Sequence, residues 1–117
     1  MIIIAFAPRT SKLLPRILCR RFKHTAPIIV QKNKLIMYQF VSRTQIAKIP
    51  LQMRDIKILG MYGWDFITLH IRPKNAPKNT HARTCVQMTK HIIGLHAPFI
   101  QTPYALYKKI RRLSTDF

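Results

Sequence analysis

Twenty-one Lys and Arg stand against three acidic residues in 117, and none of the three is a glutamate. No other feature limits the fold so strongly. At a formal net charge of +18 the chain repels itself, so a compact state needs a substantial apolar core, a bound polyanion, or both. The charge does not sit in a tail: residues 1–33 carry +7, residues 34–96 carry +8 and residues 97–117 carry +3. Basic residues alternate with apolar ones, and hydrophobic residues make up 48% of the chain. That mixture reads as a folded core under a cationic surface, with disorder the lesser alternative at the two ends. Nucleic acid is the first polyanion to consider and an anionic membrane surface the second.

The scarcity of acid also narrows the chemistry. Asp55, Asp65 and Asp116 are the only carboxylates, too few for paired acid/base catalysis or an oxygen-rich metal cage. Cys19 and Cys85 lie far apart without a CxxC pair, and the five His lack ligand spacing. His91 and His96 are five apart, which does not put two ligands on one helical face. The thiols read as reduced and inert. No catalytic residue, metal, cofactor or small-molecule substrate is expected.

At the N-terminus, Arg9, Lys12, Arg16, Arg20, Arg21 and Lys23 surround Leu13, Leu14, Ile17 and Leu18. On a helix these four form one apolar stripe with cations on the other faces, as in a mitochondrial presequence. Residues 1–23 are therefore expected to be a presequence, removed near Arg21–His24, or else a permanent basic arm that threads into RNA. Pro8, Arg9 and Pro15 break the run a secretory signal needs. No apolar run approaches the roughly 20 residues of a membrane span. Residues 24–33 read as a linker.

From residue 34 the pattern becomes periodic. Lys34–Val41 is rich in strand formers and predicts a strand, with at least one of Tyr38 and Phe40 buried. Pro50 fits the start of a helix, Met53, Ile56 and Leu59 give it an apolar stripe, and Gly60 its stop. Trp64–Ile71 predicts a second strand, followed by a basic loop over Lys74–Lys78. Asn79 or Thr80 can cap a second helix that buries Ala82, Cys85, Val86, Thr89 and Ile92 and turns Arg83, Gln87 and Lys90 outward. His91–His96 reads as a short third strand. The expected fold is α+β: a β-α-β-α-β sandwich over residues 34–96, with a three-stranded antiparallel sheet and two helices on one face. In residues 97–117, Leu106, Tyr107, Ile110 and Leu113 recur beside Lys108, Lys109, Arg111 and Arg112. That pattern predicts a basic amphipathic helix, able to dock on protein, membrane or phosphate.

Arg43-Thr44-Gln45-Ile46-Ala47-Lys48 resembles the strand-to-helix loop of the universal large-subunit ribosomal protein family thirty, in its mitochondrial form. Leu59-Gly60-Met61 resembles the end of that family's first helix, and residues 64–96 offer its second strand, Pro-containing turn, second helix and closing strand. The resemblance covers residues 34–96. Ala47 stands where the family has glycine, the segment before the second helix is longer, and the C-terminal helix has no counterpart in the bacterial form. The resemblance implies a structural constituent of the mitochondrial large ribosomal subunit, in the matrix, bound to rRNA and neighbouring ribosomal proteins. The residues themselves suggest the phosphate contacts. Arg43 and Lys48 flank one loop, Arg54 and Lys57 share a side of the first helix, Arg72, Lys74 and Lys78 line the second loop, and Arg83 faces outward beyond it. Such contacts position a protein on RNA and read shape more than sequence. Trp64, Tyr62 and Phe66 can stack on bases, although aromatic residues beside strands usually belong to core or rim. Two other classes compete with this reading. A small basic accessory subunit of an inner-membrane respiratory complex lacks an apolar span here, and a nucleic-acid enzyme lacks carboxylates.

Overall fold

The computed structural model describes residues 1–8, 24–42, 45–75 and 84–115. Among these residues, five strands and three helices run in the order β1 (Ile2–Ala7), β2 (His24–Gln31), β3 (Lys34–Ser42), β4 (Gln45–Leu51), α1 (Met53–Met61), β5 (Asp65–Leu69), α2 (Cys85–Ile93) and α3 (Pro103–Thr115). The strands form one sheet in the order β4-β3-β2-β1-β5, and every neighbouring pair is antiparallel. The α+β class is as expected. The sheet has five strands where three were expected: β3 and β5 are the first two expected strands, the third is not a strand, and β1, β2 and β4 join from segments expected to be arm, linker and loop.

β1 is the first of these. Ile2–Ala7, expected within a presequence or arm, lies between β2 and β5, and every residue in it is buried. Apolar side chains on both faces suit a strand covered on both sides. Ile2, Ile4 and Phe6 enter one core cluster with Ile67, Leu69, Val86, Ile92, Leu106 and Ile110. Ile3 and Ala5 enter the opposite cluster with Ala26, Ile28, Leu35 and Met37. The leucine stripe from Leu13 to Leu18 lies outside the described residues. The expected linker over 24–33 is β2 plus a tight turn. Gln31 pairs with Lys34 across Lys32 and Asn33, both at positive φ (47° and 67°), as a two-residue hairpin turn of right-handed twist requires.

The loop expected at residues 43–48 is mostly strand. Gln45–Leu51 pairs with β3 from Ser42 back to Leu35, with an irregularity between Phe40 and Ser42. Pro50 therefore sits in β4, an edge strand, where its missing N–H does no harm. Helix α1 starts later, at Met53, behind Gln52, whose N–H donates to Asp55 Oδ2 at 2.7 Å. Ile56 turns toward the second cluster, so α1 covers the face opposite α2 and α3.

The third expected strand, His91–His96, is instead the end of α2 and a turn. Ile92 and Ile93 continue the buried helical stripe of Val86, Met88 and Thr89, which outweighs their strand propensity. Gly94 ends the helix in the left-handed conformation (φ 72°). The N-cap is Thr84, whose Oγ1 accepts from Gln87 N at 3.1 Å; Asn79 and Thr80 lie outside the described residues. The C-terminal helix is part of the core. Leu106, Tyr107 and Ile110 are buried against β5 and β1.

One polar cluster anchors α3. The Tyr107 hydroxyl donates to Asp65 Oδ2 at 2.7 Å, and Arg111 Nη1 donates to the Tyr107 oxygen at 2.5 Å. The Tyr107 ring meets Phe6 edge-on, with centroids 5.1 Å apart. Burial, then the Asp65 carboxylate, pushes the hydroxyl above its ordinary 10.0, and Arg111 opposes them.

Two outcomes follow from this packing. Ile4→Ala should cost about 2–5 kcal/mol in urea unfolding, as core truncations do, and Ile4→Asp should abolish the cooperative transition, whereas Met53→Ala, at an exposed site, should leave the midpoint nearly unchanged. The Tyr107 proton is held more tightly in the folded chain than in the unfolded one. Its contribution is therefore complete below the unfolded value near 10.0 and is lost as pH climbs through the raised folded value. Thermal melts taken above pH 10.0 should show stability falling in the wild type, with a shallower fall in Tyr107→Phe.

Candidate nucleic-acid interface

Helices α2 and α3 cover β2, β1 and β5, and leave β3 and β4 only partly covered on that face. Ile36, Tyr38 and Phe40 of β3 share it with Ile46, Lys48 and Pro50 of β4, as strand alternation and register require. Tyr38, Phe40 and Ile46 are half-buried against the first core cluster. Neither Tyr38 nor Phe40 is fully buried, contrary to the expectation for at least one.

Two adjoining clefts, of about 650 and 540 Å³, open over this part of the sheet and share Ile29, Gln31 and Tyr38. Together they form one groove. Lys32 and Lys34 line one side, from the β2–β3 turn. Arg72, Pro73, Lys74 and Asn75 line the other. Lys48, the cross-strand partner of Tyr38, holds its Nζ 6.0 Å from the centroid of that ring, at the outer limit of a cation–π contact. Lys32, Lys34, Lys48, Arg72 and Lys74 are all exposed, and among the described residues no acidic one lines either cleft.

Backbone geometry fixes each rim. The positive-φ turn sets Lys32 and Lys34 on either side of Asn33. On the other rim, Lys74 N and Asn75 N both donate to Ile92 O, at 2.8 and 3.4 Å, and Asn75 Nδ2 donates to His91 O at 2.7 Å. These bonds satisfy carbonyls at the end of α2 and tie the loop to it. Lys74 then runs across Gly94, so closely that a Cβ there would lie 2.6 Å from Lys74 Cγ. Position 94 thus needs glycine for its conformation and for the passage of Lys74.

Of the eight expected phosphate contacts, Lys48, Arg72 and Lys74 come together at this groove. Arg54 and Lys57 are exposed on α1, which packs on the other face of the sheet, and are not part of it. Arg43, Lys78 and Arg83 lie outside the described residues. Lys90, expected to face outward, turns inward instead: its Nζ donates to Ala97 O at 2.9 Å and to Ile100 O at 2.7 Å. The aromatic candidates also change. Trp64 and Phe66 pack against the second cluster, with rings 6.4 Å apart, while Tyr62 is exposed beyond α1. Sequence reasoning misses Tyr38, Lys32 and Lys34. The signal for the two lysines is Gln-Lys-Asn-Lys between two apolar runs, a hairpin turn in a place that reads as linker.

Cys85 is the first residue of α2, half-exposed, directly after the Thr84 cap. Among the described residues no three His, Cys, Asp or Glu are grouped to hold a metal ion, and no helix is long and apolar enough to cross a membrane.

The chain matches no family model, no curated protein and no solved structure.

Proposed function

We propose that this protein binds RNA, gripping backbone phosphates between the Lys32/Lys34 rim and the Arg72/Lys74 rim. One observation carries the reading: cations from two segments some forty residues apart line one groove, with no acid among the described residues of its lining. Lysines supply mobile point charges there, and Arg72 a planar fork suited to phosphate. Such a surface recognises charge and shape, and acts as a scaffold on a folded polyanion. The finer setting, a structural constituent of the mitochondrial large ribosomal subunit beside rRNA and other ribosomal proteins, rests on the sequence resemblance alone. The family's closing strand and strand-to-helix loop correspond here to a helix end and a β-strand. A respiratory-complex subunit has no comparable structural feature in its favour.

The test is charge reversal. With Lys32, Lys34, Arg72 and Lys74 all changed to Glu, affinity for an RNA oligomer should collapse. Single reversals should each lower the slope of log affinity against log salt by about 0.7 for every single-strand phosphate no longer neutralised. Arg54→Glu with Lys57→Glu should have a smaller effect. Equal weakening by both sets would put the binding surface elsewhere. RNase-sensitive co-sedimentation of the wild type with large subunits examines the ribosomal setting separately.

A further inference from the structure

We infer that the groove takes a single-stranded segment and stacks one of its bases on Tyr38. This rests on the RNA-binding reading and specifies which form of RNA that groove accepts. Tyr38 lies on the floor where the two clefts meet, and both are lined by it. It is half-buried, with its body in the first core cluster, so the ring is held in place while part of it remains accessible. A clamped aromatic ring gives up little freedom when a base settles on it.

Lys48 marks the accessible side. Its ammonium stands 6.0 Å from the ring centroid while the side chain stays exposed, so it can swing from the ring to the phosphate of the stacked nucleotide. Ile36 and Phe40 flank Tyr38 on the same face of β3, each about 7 Å along the strand. They form an apolar strip between two cationic rims. Duplex RNA hides its base faces inside the stack and presents phosphates and sugars, so it has nothing to offer the strip. An unpaired strand offers both its phosphates to the rims and a base face to Tyr38. The groove also has the volume for it: the clefts of about 650 and 540 Å³ that meet at Tyr38 each have room for a nucleotide.

The experiment compares three probes on the full chain: oligouridylate, a perfectly paired RNA duplex, and inorganic polyphosphate, which has charge but no bases. The wild type should prefer oligouridylate to the duplex at equal ionic strength. Tyr38→Leu should weaken oligouridylate binding by about 5- to 150-fold, the span measured for removal of one base–aromatic stack, and leave polyphosphate binding within about twofold of wild type. Tyr38→Phe, which keeps the ring, should restore oligouridylate binding and shows that the leucine result is not misfolding. Equal weakening for oligouridylate and polyphosphate in Tyr38→Leu, or no weakening for either, would overturn the stacking proposal while leaving the phosphate-binding groove intact. Failure of the wild type to bind any of the three would overturn the RNA-binding reading itself.

Discussion

Burial of β1 on both its faces is the interaction on which the rest of the structure depends. A chain at +18 has almost no opposite charge with which to offset its own repulsion, so apolar burial must do so. Ile2–Ala7 supplies six consecutive buried residues, and one face of the strand anchors each core cluster. At about 25 cal/mol per Å² of apolar surface, an interior strand of this composition is the densest source of stability available in so small a chain. β2 and β5 pair directly with it, α2 and α3 pack over Ile2, Ile4 and Phe6, and α1 reaches the opposite cluster through Ile56. The basic surface is tolerable because this core lies beneath it.

Among the described residues, the acids serve the structure. Asp55 caps α1 by accepting from Gln52 N. Asp65 accepts from Phe66 N through one oxygen and from the Tyr107 hydroxyl through the other, and so ties the last helix to the sheet. Neither lines the groove. Lys90 shows the opposite case, a cation removed from the surface by two carbonyl acceptors. Binding potential in this chain therefore follows from which cations lack an internal role, and counting Lys and Arg does not identify them.

Much of the fold was legible in the sequence where periodicity was unambiguous. β3, the core of α1, β5 and the α3 stripe of Leu106, Tyr107 and Ile110 lie where alternation or helical spacing puts them. The misreadings share a physical origin. Met1–Ala7 is a run of apolar, β-branched-rich sequence that fits a strand buried on both faces, but the basic stretch after it makes a targeting segment the simpler interpretation. His91-Ile92-Ile93 has strand propensity and yet completes a helical stripe begun at Val86, and only tertiary packing decides between the two. At the site, Arg72 and Lys74 were legible as a basic loop and Lys48 as an exposed cation. Their meeting with Lys32, Lys34 and Tyr38 was not, since it depends on strand order. Arg72–Asn75, after β5, lie beside Met1 and Ile29–Gln31, and no local pattern encodes that meeting.

The groove exists because the layers are unequal. Two helices cannot cover five strands, and α2 and α3 are held over β2, β1 and β5 by the Tyr107–Asp65 bond and the buried stripe of α2. The partly covered remainder is β3 and β4, whose residues on that face are aromatic and aliphatic with lysines among them. In a chain with more acid, such a strip beside open solvent would favour self-association. On the RNA-binding reading proposed above, the surrounding cations repel a second copy and attract a polyanion, so the net charge that makes the fold costly would also favour such a partner. Gly94 links the two requirements. It ends α2 and leaves room for Lys74 to cross the helix terminus to the groove, so the residue that completes the cover over one half of the sheet also completes the rim over the other.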